Sequence, residues 1–181
     1  MVNNQHKIEP YLMAILSGRF AAITREMANT LMRSGRSTVL NTAKDFSCSI
    51  TDHQSRIISL AEGLPIHLAA IYLIPRAVNE LFKDDIRPGD IFLNNSPYHG
   101  NTHHADFTMC APVFYRGKLE FYAISRAHQG DTGAPIPTTF LPFARTVYEE
   151  GLHIPCVRVQ RDYKDVEDVV NVLHEAGICR K

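Results

Sequence analysis

Residues 102–131 read THHADFTMCAPVFYRGKLEFYAISRAHQGD and carry the clearest strand signals of the chain. Two apolar, β-prone runs, Phe107–Tyr115 and Lys118–Ser125, flank the dipeptide Arg116-Gly117. Such runs around a short glycine-containing break predict a β-hairpin. The centre of the chain is therefore expected to be an antiparallel sheet.

The length of the hairpin turn decides which residues meet at its open end. With a two-residue turn, counting back along both strands places His128 opposite Ala105, and a loop one residue longer places it opposite Asp106. Directly opposed residues lie about 4.5–5.5 Å apart. His103 and Asp106 are three residues apart and cannot point the same way on a flat strand, so a bend or bulge is expected between them.

These residues suggest a metal site. Two imidazoles and one carboxylate with open positions are typical of catalytic zinc and non-haem iron, and manganese also suits this mixture. Such a site polarises a carbonyl group or activates water. His104 could replace His103 as a ligand. The alternative is that these polar residues only cap and solvate a loop.

Further polar residues are candidates for roles around this site. Asp131 could orient the ring of His128 by a hydrogen bond without touching the metal, or it could belong to an ordinary turn. Arg126 either binds a carboxylate or holds the loop. His67 is a catalytic candidate, although a histidine on an apolar helix is by default a core residue. Asn95 and His104 are the candidates for substrate binding, and an Asx-type turn is the alternative for Asn95.

The remaining chain predicts helices around the sheet. Apolar residues at helical spacing indicate a long amphipathic helix over 8–33, whose apolar stripe is expected in the core. The class is α+β (mixed α/β), with helices packed on largely antiparallel strands in a single domain, 1–181, whose metal-site hairpin region is 91–131. The other predicted elements are strands at 46–50, 56–60 and 91–93, an extended segment at 154–159, a helix at 66–82 that Pro75 is expected to kink or split, and a helix at 165–176.

Composition excludes several classes of protein. The 181 residues carry 19 basic and 19 acidic side chains, so the zero net charge argues against nucleic-acid binding and against a polybasic membrane surface. No apolar run reaches the about 18 residues that a membrane-spanning helix needs. The four cysteines are far apart, with no C-x-x-C pair, and the polar first ten residues lack a signal-peptide core. A cytoplasmic location is expected.

Several motifs, in order, carry a family resemblance. They are Asp45-Phe46-Ser47, Gly63-Leu64-Pro65-Ile66-His67-Leu68, Pro88-Gly89-Asp90, Asn94-Asn95-Ser96-Pro97-Tyr98-His99-Gly100, Thr102-His103 to Asp106, Pro112-Val113-Phe114, Arg126-Ala127-His128 to Asp131, and Glu150-Gly151-Leu152 to Ile154-Pro155. With these motifs the chain resembles the hydantoinase B / 5-oxoprolinase / acetone carboxylase family. The usual G-G-T-H of that family reads Gly100-Asn101-Thr102-His103 here.

The resemblance implies a metal, manganese or zinc, at His103, Asp106 and His128, and it favours His103 over His104. It implies a hydrolase of cyclic amides such as hydantoins or 5-oxoproline. It also implies an A-type partner subunit that uses ATP, and therefore a hetero-oligomer. The sequence has no G-x-x-x-x-G-K-[ST] motif, so ATP is expected to act only through that partner.

Two alternatives stay open. Gln129, directly after His128, resembles the ketone carboxylases, whose products arise from an enol phosphate and carbon dioxide. B-type subunits are several times longer than this chain, so it is expected to be the N-terminal part of a larger subunit, as a fragment, a split subunit or an inactive copy. The inactive copy would be a non-catalytic assembly piece.

Overall fold

The strands form one antiparallel sheet in the computed structural model, which describes residues 9–35, 37–61 and 70–176. In this part of the chain the sheet has seven strands in the order β2-β1-β5-β4-β3-β6-β7. The strands are β1 Phe46–Asp52, β2 Ile57–Leu60, β3 Ile91–Asn94, β4 Asp106–Tyr115, β5 Lys118–His128, β6 Val157–Arg161 and β7 Lys164–Asp165. The helices are α1 Pro10–Ser34, α2 Thr38–Asn41, α3 Leu73–Phe82 and α4 Glu167–Glu175. The predicted α+β class is confirmed.

A two-residue turn, the shorter of the two lengths that the sequence leaves open, joins the central hairpin of β4 and β5. Arg116 has φ 50° and Gly117 has φ 77°, so both lie in the left-handed region. This is the type I′ geometry, whose twist matches that of the flanking strands. Tyr115 accordingly pairs with Lys118 across the turn.

A β-bulge near the turn changes the register of the rest of the hairpin. Glu120 is the extra residue, because the pairing shifts by one position between the turn and the pair Val113–Phe121. The shifted register continues to the open end, where Asp106 pairs with His128. The pairing expected from a longer loop therefore arises from a two-residue turn combined with a bulge.

Helix α1 confirms the predicted long helix but buries only part of its apolar stripe. Thr24 is fully buried, and its hydroxyl lies 3.0 Å from the hydroxyl of Ser59 on β2. Phe20 packs on Phe121 of β5, with ring centroids 5.3 Å apart. The first turns of α1 do not lie in the core as expected, since their large apolar side chains are exposed: Tyr11, Leu12, Met13, Ile15 and Leu16.

Helix α3 corresponds to the second half of the predicted helix 66–82. It begins at Leu73, and Pro75 lies in its first turn, where a missing N–H has no intrahelical partner to lose. Pro75 therefore neither kinks nor splits this helix, contrary to expectation, since the proline stands near its start. His67 lies outside the described residues.

Helices cover parts of both faces of the sheet. On one face α3 packs on a core that includes Ile74, Phe92 and Tyr122. On the other face α4 packs through Leu173 on a second core that includes Leu93. Adjacent strand residues point to opposite faces, which explains why Phe92 and Leu93 belong to different cores. Among the described helices, none is long and apolar enough to cross a membrane.

Candidate metal centre

Three neighbouring strands, β1, β5 and β4, place the candidate site where their ends meet, at one end of the sheet. Asp106 begins β4, His128 ends β5, and Asp45 directly precedes β1. The backbone N–H of His128 donates to the carbonyl oxygen of Asp45 at 3.1 Å, which ties the strand ends together. The expected bend is a turn in which the Asp106 N–H donates to the carbonyl oxygen of His103 at 3.2 Å.

The side chains of His103, Asp106 and His128 converge. Each offers one ligand atom, and these three atoms lie within 4.8 Å of one another. His128 Nδ1 lies 3.1 Å from His103 Nε2 and 3.1 Å from Asp106 Oδ1. Asp106 is fully buried, whereas the His103 side chain is 45% exposed, so the cluster opens to solvent on the His103 side.

This donor set fits a divalent metal ion. Donor atoms at right angles around a metal, with bonds of about 2.1 Å, lie about 3.0 Å apart, and those of a tetrahedral site lie about 3.4 Å apart. The two separations at His128 Nδ1 fall within this range. The same three side chains also form a hydrogen-bond network, since His128 Nδ1 faces two partners and His103 Nδ1 lies 3.0 Å from Asp106 Oδ2. A divalent ion would be held by the donor atoms that face one another at His128.

Acidic groups surround His128. The hydrogen bond with Asp106 raises the pKa of His128 above its ordinary value, although burial opposes the rise, and the charges of Asp45 and Asp106 add to it. Asp45 Oδ2 lies 3.8 Å from His128 Nδ1. A strongly negative environment of this kind favours a cation.

Asp45 also belongs to the site, although the local sequence does not mark it as a candidate. Its carboxylate lies far from the Thr-His-His-Ala-Asp segment in the sequence, and only the pairing of β1 with β5 brings it close to His128. The available signal was its position just before the predicted strand at 46–50.

Arg126 lies inside the sheet, beside the site. It is fully buried, and its Nε donates to Thr108 Oγ1 at 2.8 Å. Burial lowers the pKa of Arg126 to about 10, against the charge of Asp106, which raises it. Both expected roles, binding a carboxylate and holding the loop, stay open, because the guanidinium contacts Thr108 and also feels the charge of the Asp106 carboxylate.

The other sequence candidates lie apart from the converging atoms. Asp131 is exposed, and its Oδ1 accepts a hydrogen bond from the Gly133 N–H, which is the turn alternative. Asn95 is fully buried; its Nδ2 donates to the carbonyl oxygen of Leu152 and its Oδ1 accepts from the Ile154 N–H. These bonds occupy both ends of the Asn95 amide in holding the segment 152–154.

His104 points away from the cluster although it follows His103 directly. Its ring is 2% exposed and stacks on His153, with centroids 5.7 Å apart and planes 14° apart. Burial lowers the pKa of His104, and the neighbouring His153 lowers it further. Among the described residues, the structure therefore brings His103, rather than His104, together with Asp106 and His128.

Comparison with known proteins identifies relatives of this chain. The model of the hydantoinase B/oxoprolinase family matches residues 9–178. The caprolactamase subunit beta of Pseudomonas jessenii is 36% identical over 166 residues, which cover 92% of this chain and 29% of that subunit. The 5-oxoprolinase of Saccharomyces cerevisiae is 35% identical over 148 residues, which cover 81% of this chain and 12% of that enzyme.

Solved structures agree in fold. The crystal structure of ATP-dependent caprolactamase from Pseudomonas jessenii superposes with a TM-score of 0.87 at 35% identity, covering 94% of this chain and 29% of that one. A nucleotide-free acetone carboxylase has a TM-score of 0.83 at 23% identity over 93% of this chain and 22% of that one, which shows a shared fold alone. The chain thus spans less than a third of the length of these relatives. It belongs to the hydantoinase B/oxoprolinase family.

Proposed function

We propose that this chain is the metal-bearing module of a B-type subunit in an ATP-dependent amidohydrolase that opens cyclic amides, such as hydantoins or 5-oxoproline. The convergence of His103, Asp106 and His128 at a solvent-accessible end of the sheet is the observation that supports it. Two family relatives, the caprolactamase and the 5-oxoprolinase, carry the names of cyclic amides.

In this proposal His103 Nε2, His128 Nδ1 and Asp106 Oδ1 hold a zinc or manganese ion, and Asp45 is the candidate for a fourth protein ligand. Such an ion, when bound, polarises a carbonyl oxygen or lowers the pKa of water. The Thr102 hydroxyl donates to Asp106 Oδ2, which leaves Oδ1 directed at His128. The exposed His103 side is where a substrate amide would approach.

The use of ATP belongs, in this proposal, to an A-type partner subunit, so that the active assembly is a hetero-oligomer. One relative is named as a beta subunit, and a structural relative is an ATP-dependent enzyme, which supports this division. The described cysteines Cys48, Cys110 and Cys156 are free and buried, in keeping with the reducing cytoplasm that we propose as the compartment.

A metal-binding experiment tests the core of the proposal. The full chain is titrated with Zn²⁺ and Mn²⁺ by calorimetry, beside the variants His103→Ala, Asp106→Asn and His128→Ala. We expect one equivalent of metal on the unmodified chain and none, or far weaker binding, on the variants. His174→Ala is the matched control, since this histidine lies on α4, and should leave binding unchanged. An unmodified chain that takes up no metal, alone or beside its partner, would refute the proposal.

A second candidate is a ketone carboxylase module, favoured by Gln129 after His128. The Gln129 N–H donates to the carbonyl oxygen of Ala105 at 2.8 Å, so this residue adjoins the turn that carries the site. Assays of the assembled complex separate the two candidates: ATP-dependent opening of hydantoins, 5-oxoproline or caprolactam against carboxylation of ketones with bicarbonate. Unchanged activity of a complex carrying His128→Ala would instead favour a non-catalytic assembly piece.

A further inference from the structure

The side chain of Asn101 holds the turn that carries two of the three candidate ligands. Asn101 is 6% exposed, and its Nδ2 donates to the carbonyl oxygen of His103 at 2.9 Å and to that of Asp106. Its two N–H groups therefore hold the first and last residues of the four-residue turn. The backbone of both ligands is fixed relative to one side chain.

A chain of hydrogen bonds sets the direction of this amide. The guanidinium of Arg126 can only donate, and it donates through Nε to Thr108 Oγ1 at 2.8 Å. The Thr108 hydroxyl is thereby an acceptor for Arg126 and directs its own proton to Asn101 Oδ1, at 2.8 Å. With Oδ1 occupied as an acceptor, the NH₂ group of Asn101 must face the two carbonyl oxygens.

The same chain connects the turn to the centre of the sheet. Thr108 on β4 and Arg126 on β5 are directly paired, and both are fully buried. They lie two residues from Asp106 and His128 on their respective strands, and therefore on the same face. The position of the turn is thus fixed by the strand pair that carries Asp106 and His128.

We propose that Asn101 is a positioning residue for the metal: through Thr108 and Arg126 it sets the separation between the His103 and Asp106 ligands. This inference rests on the proposed function, because it concerns the same metal. It predicts that loss of the Asn101 donors, or of the Thr108 hydroxyl that orients them, changes metal affinity and coordination geometry, with all three ligands still present.

Two pairs of variants test it on the full chain. Asn101→Asp keeps the shape but replaces two donors by an oxygen that repels both carbonyl oxygens. Thr108→Val removes the hydroxyl at nearly constant volume, whereas Thr108→Ser keeps it. Asn79→Asp is the matched control, because Asn79 on α3 also donates from Nδ2 to a backbone oxygen, that of His53, away from the site.

The readouts are the dissociation constant for Zn²⁺ and the visible spectrum of the Co²⁺-loaded chain, which reports ligand geometry. Loss of a group that orients a ligand costs about 10–100-fold in metal affinity. We expect a loss of this order and a changed spectrum for Asn101→Asp and Thr108→Val. Thr108→Ser and Asn79→Asp should keep the affinity and spectrum of the unmodified chain, even where Asn79→Asp lowers the Tm.

The outcomes separate this inference from the proposed function. Unmodified chain that binds Zn²⁺, with Asn101→Asp and Thr108→Val binding it equally well and with the same Co²⁺ spectrum, overturns the role of Asn101 and leaves the proposed function standing. Unmodified chain that binds no metal overturns both. Should Asn101→Asp fail to fold, the comparison of Thr108→Val with Thr108→Ser decides.

Discussion

The loop that precedes the metal-site turn depends on Gly100. This residue has φ +87°, and a Cβ at this position would lie 2.5 Å from Leu73 Cβ and 2.8 Å from the Leu73 carbonyl carbon on α3. Ordinary contacts between carbon atoms are about 3.5–4.0 Å. The backbone of α3 cannot move aside as a flexible side chain would, so in Gly100→Ala the loop must move away from the helix.

The size of the effect has two parts. A left-handed backbone costs a non-glycine residue about 1–2 kcal/mol. Overpacking a close contact typically adds about 1–3 kcal/mol. Gly117 supplies the matched control, because it has φ +77° but nothing within 4 Å of an added Cβ. Gly117→Ala should therefore lose only the first part, and Gly100→Ala should lose about 2–5 kcal/mol in all.

Urea unfolding of both variants measures the two free energies, and Zn²⁺ titration adds a functional readout. Because Gly100 directly precedes Asn101, displacement of the loop should also weaken metal binding, whereas Gly117→Ala should leave it unchanged. Equal losses of stability in the two variants would show that the contact with Leu73 contributes nothing. Undiminished Zn²⁺ affinity in Gly100→Ala would show that the position of the loop does not matter to the site.

Two further predictions concern acidic groups away from the site. Burial of Asp52 raises the pKa of its carboxyl, but hydrogen bonds from Arg56 outweigh this, so its folded pKa is lowered. The contribution of Asp52 to stability is therefore complete above the unfolded pKa of about 4 and is lost as the pH falls through the lower folded value. The difference in stability between the unmodified chain and Asp52→Asn should shrink in that pH range. A difference that does not change with pH in urea titrations would contradict this. Asp90 is 1% exposed and contacts Arg161 at 3.0 Å and Arg158 at 3.3 Å. Asp90→Asn should cost about 1.5–3 kcal/mol, the range for hydrogen bonds to charged groups, and calorimetric unfolding that shows no loss would contradict this.

The hairpin and the long helix could be predicted because their signals are local. Apolar, β-prone runs on either side of Arg116-Gly117 indicate a hairpin, and apolar residues at helical spacing indicate α1. The short edge strand β7 has no such signal, because Lys164 and Asp165 are polar and form a strand only through a tight turn in which Asp162 and Tyr163 both have positive φ.

The register of the hairpin and the composition of the site depend on distant contacts. The carbonyl oxygen of Glu120, the bulge residue, accepts a hydrogen bond from the His53 N–H at 2.9 Å, and His53 lies beyond β1. Nothing near Glu120 in the sequence marks this contact. The surroundings of Asn95 depend on distant contacts as well, because its amide is buried against a segment more than fifty residues away.

The bulge at Glu120 has a consequence for insertions and deletions. Deleting Glu120 would leave Val113 opposite Phe121 and Asp106 opposite His128. The metal-site pairing would therefore be kept, and each remaining side chain of β5 would still point to the same face of the sheet. A deletion between residues 121 and 127 could keep either the pairing of Asp106 with His128 or the facing of the β5 side chains, but not both. The reason is that a one-residue slip turns every side chain of the slipped stretch to the other face. Changes in the length of this hairpin are therefore tolerable on the turn side of residue 121, and not between that residue and the site.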